Sequence, residues 1–263
     1  MTFAEFFPEL RPWVENLVNV WPAYYIKPQF ASWQVLHILS MVILGGCTIL
    51  LNLRLIGFGL TTEQPSEIYR SLRLWLHVGV IGIVISGILI GMANAERLYD
   101  STAFLVKMIA LVAGVIFTYG VSAPIAKADG RVGAGAKLAG LVGALVFGAG
   151  LYVFATSDLI NPGMFHVISA AALVVLFVTR GALRWIYLAV MLALVAVQTY
   201  ATHVMIKSDD FERLDPVNIG FAWAFSLVIL AAAALQLISK DDRVGGENPT
   251  LAKVFAYMTI LVW

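Results

Sequence analysis

The sequence contains few charged residues for its length. Only 13% of its 263 residues are charged, while 60% are hydrophobic, whereas a soluble domain carries about a quarter charged residues. So few charges cannot cover a globule of this size with a solvated surface. The composition therefore excludes an ordinary soluble protein and makes the lipid bilayer the predicted surroundings. The net charge of +1 and the absence of any Lys/Arg run give no indication of a nucleic-acid partner.

Cysteine and the common catalytic motifs are also scarce. Cys47 is the only cysteine, which excludes an internal disulfide framework and a cysteine-based metal cluster. The sequence has no phosphate-binding glycine loop before a helix, no HExxH and no nucleophile elbow. We therefore predict no catalytic residue, and a role as an oxidoreductase subunit is the one enzymatic role left open.

Long apolar runs fill most of the chain. A spanning helix needs about 20 mostly apolar residues, and seven stretches meet this condition: 32–57, 73–94, 103–123, 136–156, 163–179, 182–205 and 217–239. An eighth run, 250–263, is too short to span fully, and we expect a half-inserted or interfacial helix or the start of a longer span. The predicted fold is an all-α polytopic transmembrane bundle, with the seven-helix domain at 31–240 and a cytoplasmic-side loop and short C-terminal helix at 241–263.

Residues 1–30 form an outer segment that does not span. Apolar residues recur there at helical spacing on one face, including Phe3, Phe6, Leu10 and Trp13. This pattern predicts an amphipathic helix in the outer membrane interface. The alternative is a helix that packs on a partner protein.

The charges of the loops predict the orientation. Eleven of the 17 Lys and Arg residues lie on the side opposite the N-terminus. By the positive-inside rule that side is cytoplasmic. We therefore expect a multi-pass protein of the bacterial inner membrane with its N-terminus outside.

Small residues recur in two of the predicted spans. The fourth span has one every four positions, which predicts a ridge for close packing inside the bundle: Ala136, Gly140, Ala144 and Gly148. The glycines of the second span could serve packing or leave room for a flat cofactor: Gly79, Gly82, Gly87 and Gly91.

All four histidines lie within predicted spans: His37, His77, His166 and His203. Ionisable residues at membrane depth are rare and usually functional, and histidine is the commonest metal ligand. At 1.5 Å rise per residue, the first, third and fourth histidines lie about 21–28 Å from the cytoplasmic arginines and His77 only about 6 Å. Two axial imidazoles of one haem need similar depths, so we predict haem b near the outer face, held by His37 with His166 or His203.

Copper is the alternative cofactor. Met164 lies two residues before His166, and Met205 lies two residues after His203. Thioether and imidazole ligands suit copper(I). Positions two apart point to different helix faces, so either pair could bind one ion only at a frayed helix end. The remaining alternative is a cofactor-free membrane anchor of a larger complex, with hydrogen-bonded histidines.

Two stretches resemble a known group of proteins. The first is LHILSMVILGGCTILLNLRLIGFGL, residues 36–60, with a histidine, a small-residue-rich helix and a D-L-R-L-x-G-like ending in which Asn52 replaces the acid. The second is WLHVGVIGIVISGILIGMANAERLYDSTAFLVKMIAL, which carries an aromatic-x-x-Lys at Phe104 and Lys107. Together, over residues 33–125, they resemble largely uncharacterised bacterial inner-membrane proteins distantly similar to the copper-resistance D family. The resemblance implies redox or copper handling and marks His37.

Lys107 lies one turn into the third predicted span, where we expect it to reach outward, with Glu96 and Asp100 as nearby acidic partners. The function predicted from all these features is a membrane cytochrome b-like electron-transfer subunit. It would pass electrons between quinone and a periplasmic redox protein or other membrane subunits, with the haem supplying the chemistry.

Overall fold

A computed structural model describes residues 1–155, 160–238 and 250–263 of the chain. Every regular element in these ranges is helical, which confirms the predicted all-α fold. Six described helices are long and apolar enough to cross a membrane. The protein is thus a multi-pass helical membrane protein.

Within the described residues, eight principal helices follow one another: α1 (Phe30–Ile56), α2 (Pro65–Ala93), α3 (Thr102–Val115), α4 (Ala134–Ala155), α5 (Ile160–Val178), α6 (Gly181–Lys207), α7 (Phe211–Ile238) and α8 (Thr250–Val262). A short helix, Ala95–Tyr99, joins α2 to α3, and α3 continues through a π-helical stretch, Ile116–Ser122, into Ala123–Lys127. The predicted spans thus correspond to α1 to α7. In α5, which matches the fifth predicted span, the apolar part described is Val167–Leu176.

The described residues form two compact units. Residues 1–155 and 250–263 make the first unit, and residues 160–238 make the second. In the first unit, α8 packs on α1, α3 and the π-helical stretch. The close approach depends on two glycines: a Cβ at Gly114 would lie 2.8 Å from the Trp263 ring, and one at Gly140 would lie 2.4 Å from Phe255.

Residues 1–29 are largely helical, as predicted, but the helix is interrupted. Prolines at positions 8, 12, 22 and 28 remove backbone donors and clash with a continuing helix. The structure therefore has six short segments: Phe3–Phe6, Pro8–Leu10, Arg11–Asn16, Leu17–Asn19, Ala23–Ile26 and Lys27–Gln29. This N-terminal segment packs on α2 and on the short helix that precedes α3, so part of its apolar face is covered by its own chain.

The packing face of α4 shares two residues with the predicted ridge. Ala136 and Gly140 are buried, whereas Ala144 and Gly148 are exposed. The glycines of α4 that meet α3 and the π-helical stretch are Gly143, opposite Phe117, and Gly150, opposite Ile109. The contact residues are therefore seven apart along α4, which is the repeat of left-handed helix packing.

Polar contacts join the loops at the far end of α1. Arg54 is buried and donates from Nε to the Glu63 carbonyl at 2.6 Å. The Ser66 amide donates to Asp129 Oδ1 at 3.1 Å, and hydrogen bonding by Ser66 lowers the pKa of Asp129 below its ordinary value. The α1–α2 loop and the turn before α4 therefore meet at one end of the first unit.

The second unit contains α5, α6 and α7. Tyr187 of α6 donates to the Ala172 carbonyl of α5 at 3.0 Å, and Gln198 Nε2 donates to Asn218 Oδ1 of α7 at 3.3 Å. Outside these contacts α6 buries very little of its apolar length, a surface that suits a lipid environment.

Candidate functional site

A cavity of about 900 Å³ lies within the first unit, among α1, α2 and α3. It is lined by the first half of α1, the last turns of α2, the start of α3 and the C-terminal Trp263. It therefore lies toward the end of the unit that carries the N-terminal segment. Its volume falls in the range of about 300–1,000 Å³ that small-molecule and cofactor sites occupy.

His37 is the buried titratable side chain of this cavity, with 8% of its surface exposed. Its Nδ1 lies 2.9 Å from Ser86 Oγ, and the Ser86 hydroxyl donates its own proton to the Gly82 carbonyl. Because a hydroxyl has one proton, Ser86 can only accept from His37, so Nδ1 carries a hydrogen. The neutral ring then keeps the lone pair of Nε2, which has no hydrogen-bond partner among the described residues, for a ligand.

The glycines of α2 have different neighbours. Gly79 and Gly82 pack on α1, since a Cβ there would lie 2.8 Å from Leu44 and 2.4 Å from Ser40 Oγ. Gly87 makes room for the histidine, because its Cβ would lie 3.3 Å from His37 Cε1. Gly91 lines the cavity and faces almost open space.

Two methionines also line the cavity, Met41 of α1 and Met108 of α3. Met41 follows His37 by four residues, so both lie on one face of α1. Sequence reasoning missed both thioethers. The four-residue spacing was a signal for Met41, but nothing in the sequence places Met108 opposite α1.

Two cations line the same cavity, Arg97 and Lys107. Neither has an ion-pair or hydrogen-bonding side-chain partner within the described ranges. Asp100, expected beside Lys107, instead pairs with Arg11, whose Nη2 lies 2.6 Å from Asp100 Oδ1. Lys107 is exposed.

His77 lies apart from His37. It precedes Ser86, the partner of His37, by nine residues on α2, which is about 13 Å along a helix axis. It is exposed, its Nδ1 donates to the Arg73 carbonyl, and its ring meets Tyr119 edge-on at 5.4 Å. It does not line the cavity, so the structure does not bring the two histidines together.

The other predicted ligands belong to the second unit. His203 is exposed on α6, and Met205 is half-buried. The side chains of Met164 and His166 lie outside the described residues. No group of three or more His, Cys, Asp or Glu side chains within the described part of the chain could hold a metal ion. The pairing of His37 with His166 or His203 stays a prediction.

A buried polar cluster occupies the half of the first unit away from the cavity. Ser122, at the end of the π-helical stretch, donates to Asn52 Oδ1 at 2.7 Å and lies 2.9 Å from Thr259 Oγ1 of α8. Asn52 Nδ2 donates to the Thr48 carbonyl at 2.8 Å. Asn52, which stands at the position of the motif's acid, therefore links α1 to the π-helical stretch, and Ser122 links that stretch to α8.

The fold and the cavity define the chain as a multi-pass helical membrane protein with a ligand-sized site in its first unit. The comparison with protein families finds a match to a family of unknown function, DUF6644, over residues 25–142. This range is less than half of the chain, and it contains α1, α2, α3 and every cavity residue except the two at the C-terminus. No curated protein matches the chain, and no solved structure matches it.

Proposed function

We propose that the first unit binds haem b in its cavity, with His37 Nε2 as an axial ligand, and that the protein is an electron-transfer subunit. The observation that carries the proposal is the hydrogen bond from His37 Nδ1 to Ser86 Oγ. Metal-ligating histidines almost always donate their other ring nitrogen to a fixed acceptor, which sets the tautomer and the ring orientation. His37 is buried, donates Nδ1 to a fixed acceptor and lines a cavity of cofactor size, so its surroundings match those of a metal-ligating histidine.

The lining of the cavity is compatible with a porphyrin. Gly45 and Gly91 leave open space on its walls, where a flat ring can approach the backbone of α1 and α2. Leu44, Ile83 and Leu111 add apolar surface, and apolar surroundings are one of the means by which a protein tunes a haem. The haem supplies one-electron chemistry when bound, while the chain orients His37 and excludes water.

Met108 of α3 also lines the cavity and would be the second ligand that this unit offers to the iron. Ligation by one histidine and one methionine is established for haem iron. The sequence prediction of His166 or His203 in this position stays an alternative from the second unit.

The positive-inside rule supports an outer N-terminus, and the cavity lies at that end of α1. The haem would then lie near the outer leaflet of a bacterial inner membrane. There it would accept electrons from quinone in the bilayer and pass them to a periplasmic partner.

The test is the visible spectrum and the haem content of the full-length protein, expressed with ample haem and purified in detergent. We expect a Soret band in the wild type and in His77→Ala, and its loss in His37→Ala. His77→Ala is the matched control, since it removes an imidazole outside the cavity. A wild type without haem, or an unchanged spectrum in His37→Ala, contradicts the proposal.

A copper(I) site is the second candidate, favoured by the two methionines. Met41 and Met108 line the cavity together with His37, and imidazole with thioethers suits copper(I). Met164 and Met205 of the sequence prediction stay alternative thioether ligands. Metal analysis of the same preparations separates the two candidates. Copper without haem in the wild type, and the loss of that copper in His37→Ala and in Met108→Leu, would identify copper as the cofactor. A wild type with neither haem nor metal would leave the membrane-anchor role.

A further inference from the structure

The charged side chains around the cavity are unequally paired. Arg97, Asp100 and Lys107 all line it. The acid is engaged by Arg11, at 2.6 Å from Nη2 to Oδ1 and 3.3 Å from Nη1 to Oδ2. The two bases have no side-chain partner among the residues that the structure describes. The cavity therefore has an uncompensated positive charge.

The N-terminal segment maintains this imbalance. Arg11 also lies over the Tyr99 ring, 5.5 Å from its centroid, and the Tyr99 hydroxyl donates to the Phe7 carbonyl. The Phe3 and Phe104 rings lie 5.8 Å apart. These contacts hold Arg11 beside Asp100, so the carboxylate is occupied and does not neutralise Lys107 or Arg97.

The position of Lys107 adds a second indication. It lies one turn inside α3, in a helix long and apolar enough to span a membrane. Ionisable residues in spanning segments are expensive, and they usually pair with another group or mark a ligand path. An anionic ligand in the cavity would supply the missing partner.

We propose that Arg97 and Lys107 bind the carboxylate groups of the cofactor, namely the two propionates of a haem. This inference rests on the proposed haem at His37. Arginine binds carboxylates through a rigid fork and lysine as a point charge, and both side chains line the cavity. The proposed ligand is thus an amphipathic dianion, whose apolar ring would contact lining residues such as Leu44 and Ile83.

The test compares two ligands on the cofactor-free full-length protein in detergent. Haemin has both carboxylates free, whereas iron protoporphyrin dimethyl ester has the same ring and iron with both acids esterified. We expect the wild type to bind haemin more tightly than the ester. In Arg97→Gln/Lys107→Gln, haemin affinity should fall about tenfold or more, the size of one lost charge-assisted hydrogen bond or greater, and ester affinity should stay unchanged.

Lys137→Gln is the matched control, since Lys137 is an exposed lysine of the same unit that does not line the cavity. It should bind both ligands as the wild type does. Equal losses of haemin and ester in the double variant, or no loss of either, would overturn this inference alone. Binding of neither ligand by the wild type would overturn the proposed haem site together with it.

Discussion

At the residue scale, His37 is oriented by a serine whose own proton is already committed to its helix. Ser86 donates to the Gly82 carbonyl, so its oxygen is left as a pure acceptor for His37 Nδ1. A hydroxyl is a weaker orienting group than a carboxylate, and it adds no charge to a site at membrane depth. The serine therefore fixes the tautomer without the cost of a second buried charge.

Removal of the Ser86 hydroxyl should weaken cofactor binding without removing it. Ser86→Ala leaves His37 Nδ1 without its acceptor, and loss of such an outer partner typically costs about 10–100-fold in metal affinity. The measurement is a haem titration followed by absorbance. Ser40→Ala is the control, because Ser40 donates only to the Leu36 carbonyl of its own helix. Equal affinities of Ser86→Ala and the wild type would show that this hydrogen bond has no part in the site.

At the residue scale the sequence identifies His37 as a candidate ligand but does not predict the residues around it. A histidine in an apolar run is visible in the sequence. Ser86 is 49 residues away, and no local pattern connects the two. Met41 could have been found from its spacing of four residues, whereas Met108 depends on how α3 packs. The sequence suggests Glu96 and Asp100 as partners of Lys107, because they are close to it in the chain. In the structure Asp100 pairs with Arg11, which lies 89 residues away in the chain.

At the scale of elements, the first two helices are shaped by glycines with different tasks. Gly79 and Gly82 bring α2 close to α1, and Gly87 makes room for the histidine ring. Gly45 lines the cavity with nothing within 4 Å of its would-be Cβ. The cavity thus has space beside α1 and α2 because glycines have no side chain to fill it, although the two helices are closely packed.

A leucine at position 45 should fill the cavity and exclude the cofactor. Gly45→Leu meets no atom within 4 Å at its Cβ, so the fold should tolerate it while its side chain occupies the space of a ring. Its neighbour Gly46 also has nothing within 4 Å but does not line the cavity, so Gly46→Leu is a matched control. The measurement is the haem content of the two purified variants. A full haem content in Gly45→Leu would show that the cofactor does not bind in this cavity.

The elements themselves were predictable to different degrees. Hydropathy predicted the long helices because lipid requires apolar residues over the whole spanning length. The amphipathic pattern of the N-terminal segment predicts one helix. Its interruptions could also have been predicted, because four prolines lie within the first 28 residues. The π-helical stretch and the seven-residue packing face of α4 follow from neighbouring helices, and no sequence periodicity indicates them.

At the scale of the whole molecule, the chain separates into two units with different contents. The first holds the cavity, the buried histidine and the C-terminal helix, while the second is a three-helix unit with one exposed histidine among its described side chains. The return of α8 to the first unit depends on Trp263 and Phe255 meeting glycines of α3 and α4. Such a contact between distant parts of the chain cannot be predicted from the apolar run at 250–263 alone.

The central claim is that His37 Nε2 binds the iron of a haem in the first unit. The most direct measurement is the haem content and Soret spectrum of His37→Gly, purified with and without imidazole. The account predicts loss of the haem without imidazole and its return when free imidazole occupies the space of the missing ring. His77→Gly should keep its haem under both conditions. Retention of a normal haem spectrum by His37→Gly without imidazole would contradict the account.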